Sequence, residues 1–553
     1  MGVAQGAAIV EDMQADVALV SPPDDQAPIV AALRRPEAYA LADGAVDVVE
    51  TLSAHVFLAG DHAFKVKKAV RLPFLDFSTL EARRRYCEIE LSLNRRTAPS
   101  IYLDVVPVTV RDGVVALGGD GEVVEWALRM RRFAQGALLS EAIARGALAA
   151  PQVDAFAERV AAFHRSLRER TPPGRFGSAA HALQLATENL DQLEPLLHEP
   201  SQRSRLEALR GWTLAEHAAR EALMRERLDG GFVRECHGDL HLANVAIVDG
   251  EPTPFDCIEF DPALRWSDVM SDVAFAAMDL RVRGRAAFAR RFVNRYLESG
   301  GDYAGAPLLP FFSVYRALVR AKVAALRAAG SDDAAVASRA RAETQRYLDV
   351  AEALSRPNAR AIVAMHGLSG CGKTSLSQAL IEQVDILRIR MDVERKRQHG
   401  LHPLARGGTG VDAGLYAPQA SREAYERVAS LAQTLVDGGQ PVVVDAAFLH
   451  RWQRDLFRDA ATRCAASFTI ADLRADAAVL RERVARRSAE GRDASDADLA
   501  VLEHQIATAE PPAADEQADV VAFDANRPLA ETIASPAWQA WLATLKPRPR
   551  RAG

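Results

Sequence analysis

Apolar and polar residues follow two different patterns along this chain. Before about residue 355, short β-type runs are mixed with long helices, which predicts an α+β domain. The β-type runs lie at 45–70, 101–132 and 243–258, and the helices at 79–96, 138–229 and 267–355. After residue 360, apolar runs at 361–366, 386–390, 441–445 and 467–470 alternate with helices. That alternation predicts an α/β domain, a parallel sheet flanked by helices.

A boundary between the two domains is predicted at Arg356-Pro357-Asn358, because proline disfavours helix in the residue before it. The chain has 553 residues, more than one hydrophobic core usually serves. We therefore predict a first domain over 36–355 and a second over 356–545. Residues 1–35 are expected to be weakly ordered, and 546–553 form a basic tail that we expect to be solvated.

Residues 367–374 read Gly-Leu-Ser-Gly-Cys-Gly-Lys-Thr, a phosphate-binding loop (P-loop) of the form G-x-x-x-x-G-K-T. A predicted strand enters the loop and a predicted helix leaves it, which is the context that this motif requires. Its backbone N–H groups can wrap phosphates, while Lys373 reaches the β- and γ-phosphates and Thr374 holds Mg²⁺. The predicted ATP-binding residues here are Gly367, Ser369, Gly370, Cys371, Gly372, Lys373, Thr374 and Ser375. Whether ATP or GTP is preferred stays open.

A second candidate site for phosphoryl transfer lies at 237–244, which reads H-G-D-L-H-L-A-N. An Asp and an Asn five residues apart, before a β-run, suit a kinase catalytic loop. Asp239 would accept the proton of the acceptor hydroxyl, and Asn244 would bind Mg²⁺. Asp256, twelve residues after Asn244, could provide a further metal carboxylate. A turn capped by Asp and Asn is the simpler alternative.

Three further residues are candidates in the second domain. Asp392 follows the predicted strand at 386–390, where ligands bind in parallel sheets, and could accept a proton from a substrate hydroxyl. Asp445 ends an apolar run and would orient Mg²⁺. Arg486 belongs to a cluster of arginines over 481–492, which is either a lid that neutralises the transferring phosphoryl group or surface charge.

Composition narrows the remaining possibilities. The formal net charge of −6 gives no sign of a nucleic-acid partner. The five cysteines form no C-x-x-C pair, which argues against a zinc site or a disulfide framework and suits a reducing compartment. Neither a signal peptide nor a membrane-spanning apolar run is found, so we expect a cytoplasmic protein without a membrane partner. The oligomeric state stays open.

Residues 45–345 resemble the aminoglycoside phosphotransferase family, the small-molecule branch of the protein-kinase-like fold. The loop at 237–244 matches that family's H-G-D-x-x-x-x-N motif, and Asp256 matches its metal-binding Asp. By this resemblance, Asp268 and Asp272 buttress the catalytic loop. One departure is that Thr51-Leu52-Ser53-Ala54, between the first two β-runs, contains no glycine, unlike the phosphate loops of protein kinases.

The same resemblance implies a lysine that binds the nucleotide. Lys65 and Lys67 lie two apart on one predicted strand, so their side chains point to the same face. Either could bind the phosphates, and Lys65 is preferred. The partner on the following helix would be Glu90 or Glu88.

Residues 360–530 resemble P-loop small-molecule kinases: gluconate kinases, adenylyl-sulfate kinases and zeta-toxin-like proteins with an AAA-type loop. Both halves in this order resemble a bacterial family described as bifunctional aminoglycoside phosphotransferase/ATP-binding protein. The resemblance implies a transferase with two ATP and Mg²⁺ sites that phosphorylates hydroxyls of small molecules. Two alternatives remain: a P-loop ATPase regulated by a degenerate, ligand-sensing kinase domain, and a nucleic-acid end kinase that uses the basic residues 395–397.

Overall fold

The computed structural model describes most of the chain. The described residues are 26–41, 44–51, 53–72, 75–167, 176–402, 417–490 and 497–546. Residues 1–25 of the segment expected to be weakly ordered, and residues 547–553 of the basic tail, lie outside these ranges. Within the described ranges, no helix combines the length and apolar character that crossing a bilayer requires.

Two compact units make up the structure. The first contains the described residues up to Arg285 together with Leu308–Ser355, and the second contains Ala286–Pro307 together with the described residues from Arg356 onward. Residues 286–307 therefore belong to the second unit, whereas the sequence analysis had placed them in the first domain. The difference arises because that segment makes its contacts with residues far ahead in the sequence, which a local pattern does not report.

Strands occur in both units. In the first they are β1 (Asp47–Glu50), β2 (Ala54–Ala59), β3 (His62–Lys67), β4 (Arg71–Leu72), β5 (Leu75–Asp76), β6 (Tyr102–Arg111), β7 (Val114–Leu117), β8 (Glu122–Arg131), β9 (Val233–Glu235), β10 (Val245–Val248), β11 (Glu251–Pro254) and β12 (Trp266–Asp268). In the second they are β13 (Ala361–His366), β14 (Leu387–Arg390), β15 (Val442–Asp445), β16 (Ser467–Arg474) and β17 (Val520–Asp524).

Helices complete both units. In chain order they are α1 (Ala27–Leu33), α2 (Leu80–Asn94), α3 (Leu139–Ala144), α4 (Ala150–Ser166), α5 (Ala179–Leu193), α6 (Pro200–Asp229), α7 (Pro262–Arg265), α8 (Val269–Val282), α9 (Ala286–Gly300), α10 (Leu309–Gly330), α11 (Ala334–Leu354), α12 (Lys373–Gln383), α13 (Met391–Gln398), α14 (Pro418–Asp437), α15 (Arg451–Arg463), α16 (Ala477–Glu490), α17 (Leu499–Thr508), α18 (Leu529–Ala534) and α19 (Pro536–Leu545). Helix α1 lies within the segment for which weak order is expected, and its Leu33 is buried in one cluster with Phe57.

In the first unit, a mixed arrangement of sheet and helices agrees with the predicted α+β class. An antiparallel sheet has the strand order β1-β2-β3-β8-β6-β7, and β2 and β3 pair as a hairpin. Gly60 supplies the left-handed turn residue between them, with φ of 56°. A separate hydrophobic core lies among the long helices α5, α6, α8, α10 and α11.

A parallel sheet forms the centre of the second unit, as predicted. Its strand order is β14-β15-β13-β16-β17, and helices flank it. β13 lies in the middle, and all six of its residues are buried, which explains its uninterrupted apolar sequence. β17 was not predicted, because at the edge of the sheet only Phe523 among its five residues is buried and the apolar pattern is weak.

A buried ion pair ties α2 to β8 in the first unit. Arg83 Nε lies 2.8 Å from Glu125 Oε2, and both side chains are at most 1% exposed. We expect Glu125→Gln to lower the free energy of unfolding by about 3 kcal/mol, because it leaves a buried guanidinium without its counter-charge. Urea denaturation of the full chain, followed by intrinsic fluorescence, measures the change.

The matched control is Glu88→Gln, which removes the same charge from the exposed pair of Arg84 and Glu88 on the same helix. There we expect a change of about 0–1 kcal/mol. Equal effects of the two substitutions would show that burial of the Arg83–Glu125 pair is not what matters.

Candidate active sites

The candidate site of the first unit includes two lysines, Lys65 and Lys67, on one face of β3. Lys65 Nζ lies 2.8 Å from Glu90 Oε1, and Lys67 Nζ lies 2.7 Å from Glu90 Oε2. Glu90, on α2, is fully buried. Glu88 is instead exposed beside Arg84. The structure therefore places Glu90, not Glu88, against both lysines.

Each lysine also has a second carboxylate partner. Lys65 Nζ lies 2.9 Å from Asp256 Oδ1, and Lys67 Nζ lies 2.5 Å from Glu259 Oε1. Burial favours the neutral amine, but the carboxylates of Asp256 and Glu90 outweigh it and raise the pKa of Lys65 well above its ordinary value. Burial raises the pKa of Glu259. Sequence reasoning missed this role of Glu259, and its position three residues after Asp256 is the signal that could have pointed to it.

Helix α8 holds the loop at 237–244, the candidate catalytic loop, through two buried aspartates. Asp272 accepts hydrogen bonds from the backbone N–H of His237 and Gly238, at 2.8 and 3.0 Å. Asp279 accepts one from the N–H of Leu242 at 2.9 Å. Although burial opposes ionisation, the hydrogen bond from His164 and the neighbouring loop hold the pKa of Asp272 at about 2. The carboxylate charge of α8 thus fixes the loop backbone.

Gly238 in this loop is required by space as well as by conformation. Its φ is 81°, and a Cβ there would lie 3.0 Å from the carbonyl oxygen of Leu264. Asp256 also has a positive φ, 62°, and its N–H donates to the Tyr102 hydroxyl at 3.1 Å. A non-glycine residue in this region carries backbone strain of about 1–3 kcal/mol and is common at functional sites.

Asp239 and Asn244 keep polar atoms that nothing in the described part of the chain satisfies. Asn244 Nδ2 donates to Asp239 Oδ2 at 2.9 Å, which leaves Asp239 Oδ1 and Asn244 Oδ1 buried without hydrogen-bond partners. Burial favours the protonated acid, but nearby His241 and Arg320 lower the pKa of Asp239. Oxygen donors of this kind suit Mg²⁺ and an acceptor hydroxyl. The residues present therefore fit the metal that the sequence implies.

In the second unit, the P-loop joins the end of β13 to the start of α12. Gly367, Gly370 and Gly372 all have positive φ, at 142°, 85° and 93°. A Cβ at Gly367 would lie 2.7 Å from the backbone oxygen of Leu473, so only glycine fits there. The loop backbone can then approach a phosphate as closely as the motif requires.

Lys373 and Asp445 both line the cavity beside this loop. Lys373 Nζ donates to the carbonyl oxygens of Gly367 and Leu368, at 2.7 and 2.9 Å. Asp445, at the end of β15, is buried, and its Oδ2 accepts from the Ser377 hydroxyl at 3.3 Å. Asp445 and the exposed Thr374 line the same cavity, so a carboxylate and a hydroxyl are available to Mg²⁺ there.

That cavity has a volume of about 580 Å³ and lies at the carboxyl ends of the parallel strands. Its lining includes the predicted residues Ser369, Gly370, Cys371, Gly372, Lys373, Thr374, Ser375, Asp392, Asp445 and Arg486. Of the P-loop candidates, Gly367 lies at the strand end and is not part of the lining. The structure thus brings the candidate base, the P-loop and the candidate lid arginine to one space.

Members of the arginine cluster have different surroundings. Arg486 is exposed at the cavity, Arg483 Nη1 donates to the carbonyl oxygen of Ala525 at 2.8 Å, and Arg481 forms an exposed ion pair with Glu503. Arg492 lies outside the described residues. A role as a lid therefore remains a prediction that concerns Arg486 above all.

Sequence reasoning missed two contributors to this site. Gln505 of α17 accepts a hydrogen bond from the P-loop N–H of Ser369 at 2.9 Å. Glu298 of α9 contacts Arg388 and Arg390, which lie on β14 at the sheet edge. Neither residue belongs to a recognisable motif, and each is more than 85 residues from its partner in the sequence.

Comparisons with known proteins agree with these observations. The model of the family described as "Phosphotransferase enzyme family" matches residues 70–309, and the model described as "AAA domain" matches residues 362–512. Uncharacterised proteins of Mycobacterium tuberculosis (strain H37Rv) and Mycobacterium bovis are each 32% identical over 459 residues, which cover 81% of this chain and 88% of the relative.

Fold and sites define a phosphotransferase enzyme in which a kinase-like domain precedes a P-loop kinase-like domain. The chain belongs to the family of the two mycobacterial proteins. Among solved structures, a gluconokinase from Sinorhizobium meliloti is 23% identical over 34% of this chain and 94% of its own, with a TM-score of 0.25. A choline kinase from Cryptosporidium parvum is 11% identical over 56% and 89%, with a TM-score of 0.37. At TM-scores this low, these two likenesses decide nothing about function.

Asp272 contacts the loop at 237–244 through two backbone N–H groups. We expect Asp272→Asn to lower ATP turnover in the first unit by about 10- to 100-fold, because an amide cannot accept from both backbone N–H groups and one buried N–H left unpaired costs about 1–3 kcal/mol. The measurement is the ATP turnover that Asp239→Asn abolishes.

Asp268→Asn is the control, since Asp268 is also buried but binds Arg227 rather than the loop. This substitution should lower the free energy of unfolding. The ATP turnover of the folded variant should stay near that of the unsubstituted protein. A comparable loss of turnover in both variants would contradict the positioning role of Asp272.

Proposed function

We propose that this protein transfers the γ-phosphoryl group of ATP to hydroxyls of small-molecule metabolites at two separate sites, one in each unit. The observation that supports this proposal is that each unit gathers a cation, oxygen ligands and a carboxylate, groups that would bind phosphate, hold Mg²⁺ and remove a proton. In the first unit these are Lys65, Asn244 with Asp256, and Asp239. In the second they include Lys373 and Asp445.

In the first unit, Asp239 would accept the proton of the acceptor hydroxyl through its unpartnered Oδ1. Lys65, held by Glu90, would bind the phosphates, and Lys67 would keep Glu90 in place from the other side. The second carboxylate on Lys65, Asp256, would turn to the metal when nucleotide enters. Mg²⁺, when bound, neutralises the negative charge that develops on the phosphates.

In the second unit, the P-loop N–H groups and Lys373 would hold the triphosphate, with Thr374 and Asp445 towards the metal. Lys373 would exchange its two carbonyl partners for phosphate oxygens. Asp392 would accept the proton of a second hydroxyl, and Arg486 would stabilise the transferring group.

The two alternatives differ in what supports them. A first unit that only senses a ligand fits the lack of glycine near Ser53, but the complete set of Asp239, Asn244 and Asp256 favours catalysis. A nucleic-acid end kinase would need an accessible basic run, whereas Arg395 and Lys396 are 7% and 1% exposed. A small-molecule acceptor is therefore favoured.

Separate substitutions test the two sites. We expect Asp239→Asn to remove one part of the transfer from labelled ATP to molecules of a fractionated cell extract, by about 10²- to 10⁴-fold, the usual effect of a general base. Lys373→Ala should remove a different set of labelled products. Asp249→Asn, an exposed carboxylate paired with Arg131, is the control and should change neither set. If Lys373→Ala alone abolishes all turnover, the first unit is regulatory.

Binding stoichiometry supplies an independent prediction. Titration calorimetry with a non-hydrolysable ATP analogue and Mg²⁺ should give two equivalents per chain for the unchanged protein. Lys373→Ala should leave one, because the remaining equivalent binds at Lys65 and Asn244. A single equivalent that disappears with Lys373→Ala would rule out two nucleotide sites.

A further inference from the structure

Helix α9 belongs to the second unit although its sequence lies between two parts of the first. The chain leaves the first unit after Arg285 and returns to it at Leu308. Asn294 of α9 accepts from the N–H of Arg388 at 2.7 Å and donates to the carbonyl oxygen of Ile386 at 3.3 Å. These groups lie along β14, the edge strand of the parallel sheet, so α9 satisfies backbone groups that an edge leaves open.

Glu298, one turn further along α9, places a buried negative charge beside this edge. It is 4% exposed, and its carboxylate lies within hydrogen-bond distance of three guanidinium groups. Arg295 lies 2.9 Å away, Arg390 3.1 Å and Arg388 3.2 Å. Such a carboxylate is a strong anchor, because each partner is charged and water is largely excluded.

Two routes lead from Glu298 to Asp445, the carboxylate proposed to face Mg²⁺. Arg390, which Glu298 holds by Nη1, has its Nε 3.9 Å from Asp445 Oδ2. Arg388 Nη1 lies 3.5 Å from the Ser377 hydroxyl, which itself lies 3.3 Å from Asp445 Oδ2. At 3.9 Å, Arg390 is close enough to attract Asp445 but too far for a hydrogen bond.

We propose that Glu298 is a positioning residue of the P-loop site: it holds Arg390 back from Asp445 and so keeps that carboxylate open to Mg²⁺. This inference rests on the proposed function of the second unit. Without the charge of Glu298, the guanidinium of Arg390 would close the gap and form charge-assisted hydrogen bonds with Asp445. The metal would then have to displace a cation that already occupies its ligand.

The test compares Glu298→Gln with the double variant Glu298→Gln/Arg390→Met in the full chain. The readout is the Mg²⁺ concentration that half-saturates binding of fluorescent mant-ATP, taken from the part of the signal that Lys373→Ala abolishes. Glu298→Gln should raise this concentration about tenfold or more, the effect usual for a residue that supports a metal ligand. The double variant should return it towards the original value, because the competing guanidinium is gone.

Glu382→Gln is the matched control. Glu382 of α12 also forms an ion pair with an arginine of α9, since Arg291 Nη1 lies 2.7 Å from Glu382 Oε1. Among the described residues, no ion pair or hydrogen bond joins Glu382 to Arg390 or Asp445. It should weaken the docking of α9 without shifting the Mg²⁺ dependence. Equal shifts in Glu298→Gln and Glu382→Gln, or no recovery in the double variant, would overturn the positioning role.

A crystal structure of the nucleotide-free Glu298→Gln protein gives a readout that needs no turnover. The distance between Arg390 Nε and Asp445 Oδ2 should fall from 3.9 Å to that of a direct hydrogen bond. An unchanged distance would refute the inference even if the P-loop site is active. A shortened distance in a protein without Lys373-dependent binding would instead refute the proposed function and leave only the effect of Glu298 on the position of Arg390.

Discussion

Both sites depend on one constraint: burying an ionised side chain costs the hydration of its charge. An ionised side chain that loses its hydration is tolerated when an opposite charge or hydrogen-bond partners replace the water. Glu90 meets this condition with two ammonium groups, and the pair of Lys65 and Lys67 is completed by Asp256 and Glu259. Three carboxylates and two ammonium groups leave one excess negative charge when all are ionised, so the cluster favours the arrival of a cation.

In the second unit the buried charges that need a partner are guanidinium groups. Arg388 and Arg390 on the edge strand would leave a positive charge beside the P-loop, and the compensating carboxylate comes from Glu298 on α9. The unit that contains the P-loop is therefore incomplete without residues 286–307, which the chain supplies before it has finished the first unit. The contacts of Glu298, Asn294 and Tyr303, rather than chain order, join this segment to the second unit.

Four buried polar residues at the loop 237–244 and on α8 differ in whether their side-chain oxygens are paired. Asp272 accepts from two backbone N–H groups of the loop, and Asp279 accepts from one and from Arg283, so both fix the loop and have little capacity left. Asp239 and Asn244 are equally buried but retain oxygens without partners among the described residues. Unpaired buried oxygens are costly, and the Mg²⁺ and acceptor hydroxyl proposed for this loop would complete them.

Local features were readable from the sequence alone. The P-loop at 367–374, the loop at 237–244 and the strands from β13 to β16 follow from glycine positions, Asp–Asn spacing and apolar runs, because these depend on backbone conformation over a few neighbouring residues. Only the tertiary structure chose Glu90 over Glu88, paired Lys67 with Glu259 and placed α9 in the second unit. Those choices join residues such as Lys65 and Asp256, 191 positions apart, and a desolvated charge takes whichever partner the fold brings near. No local pattern contains that information.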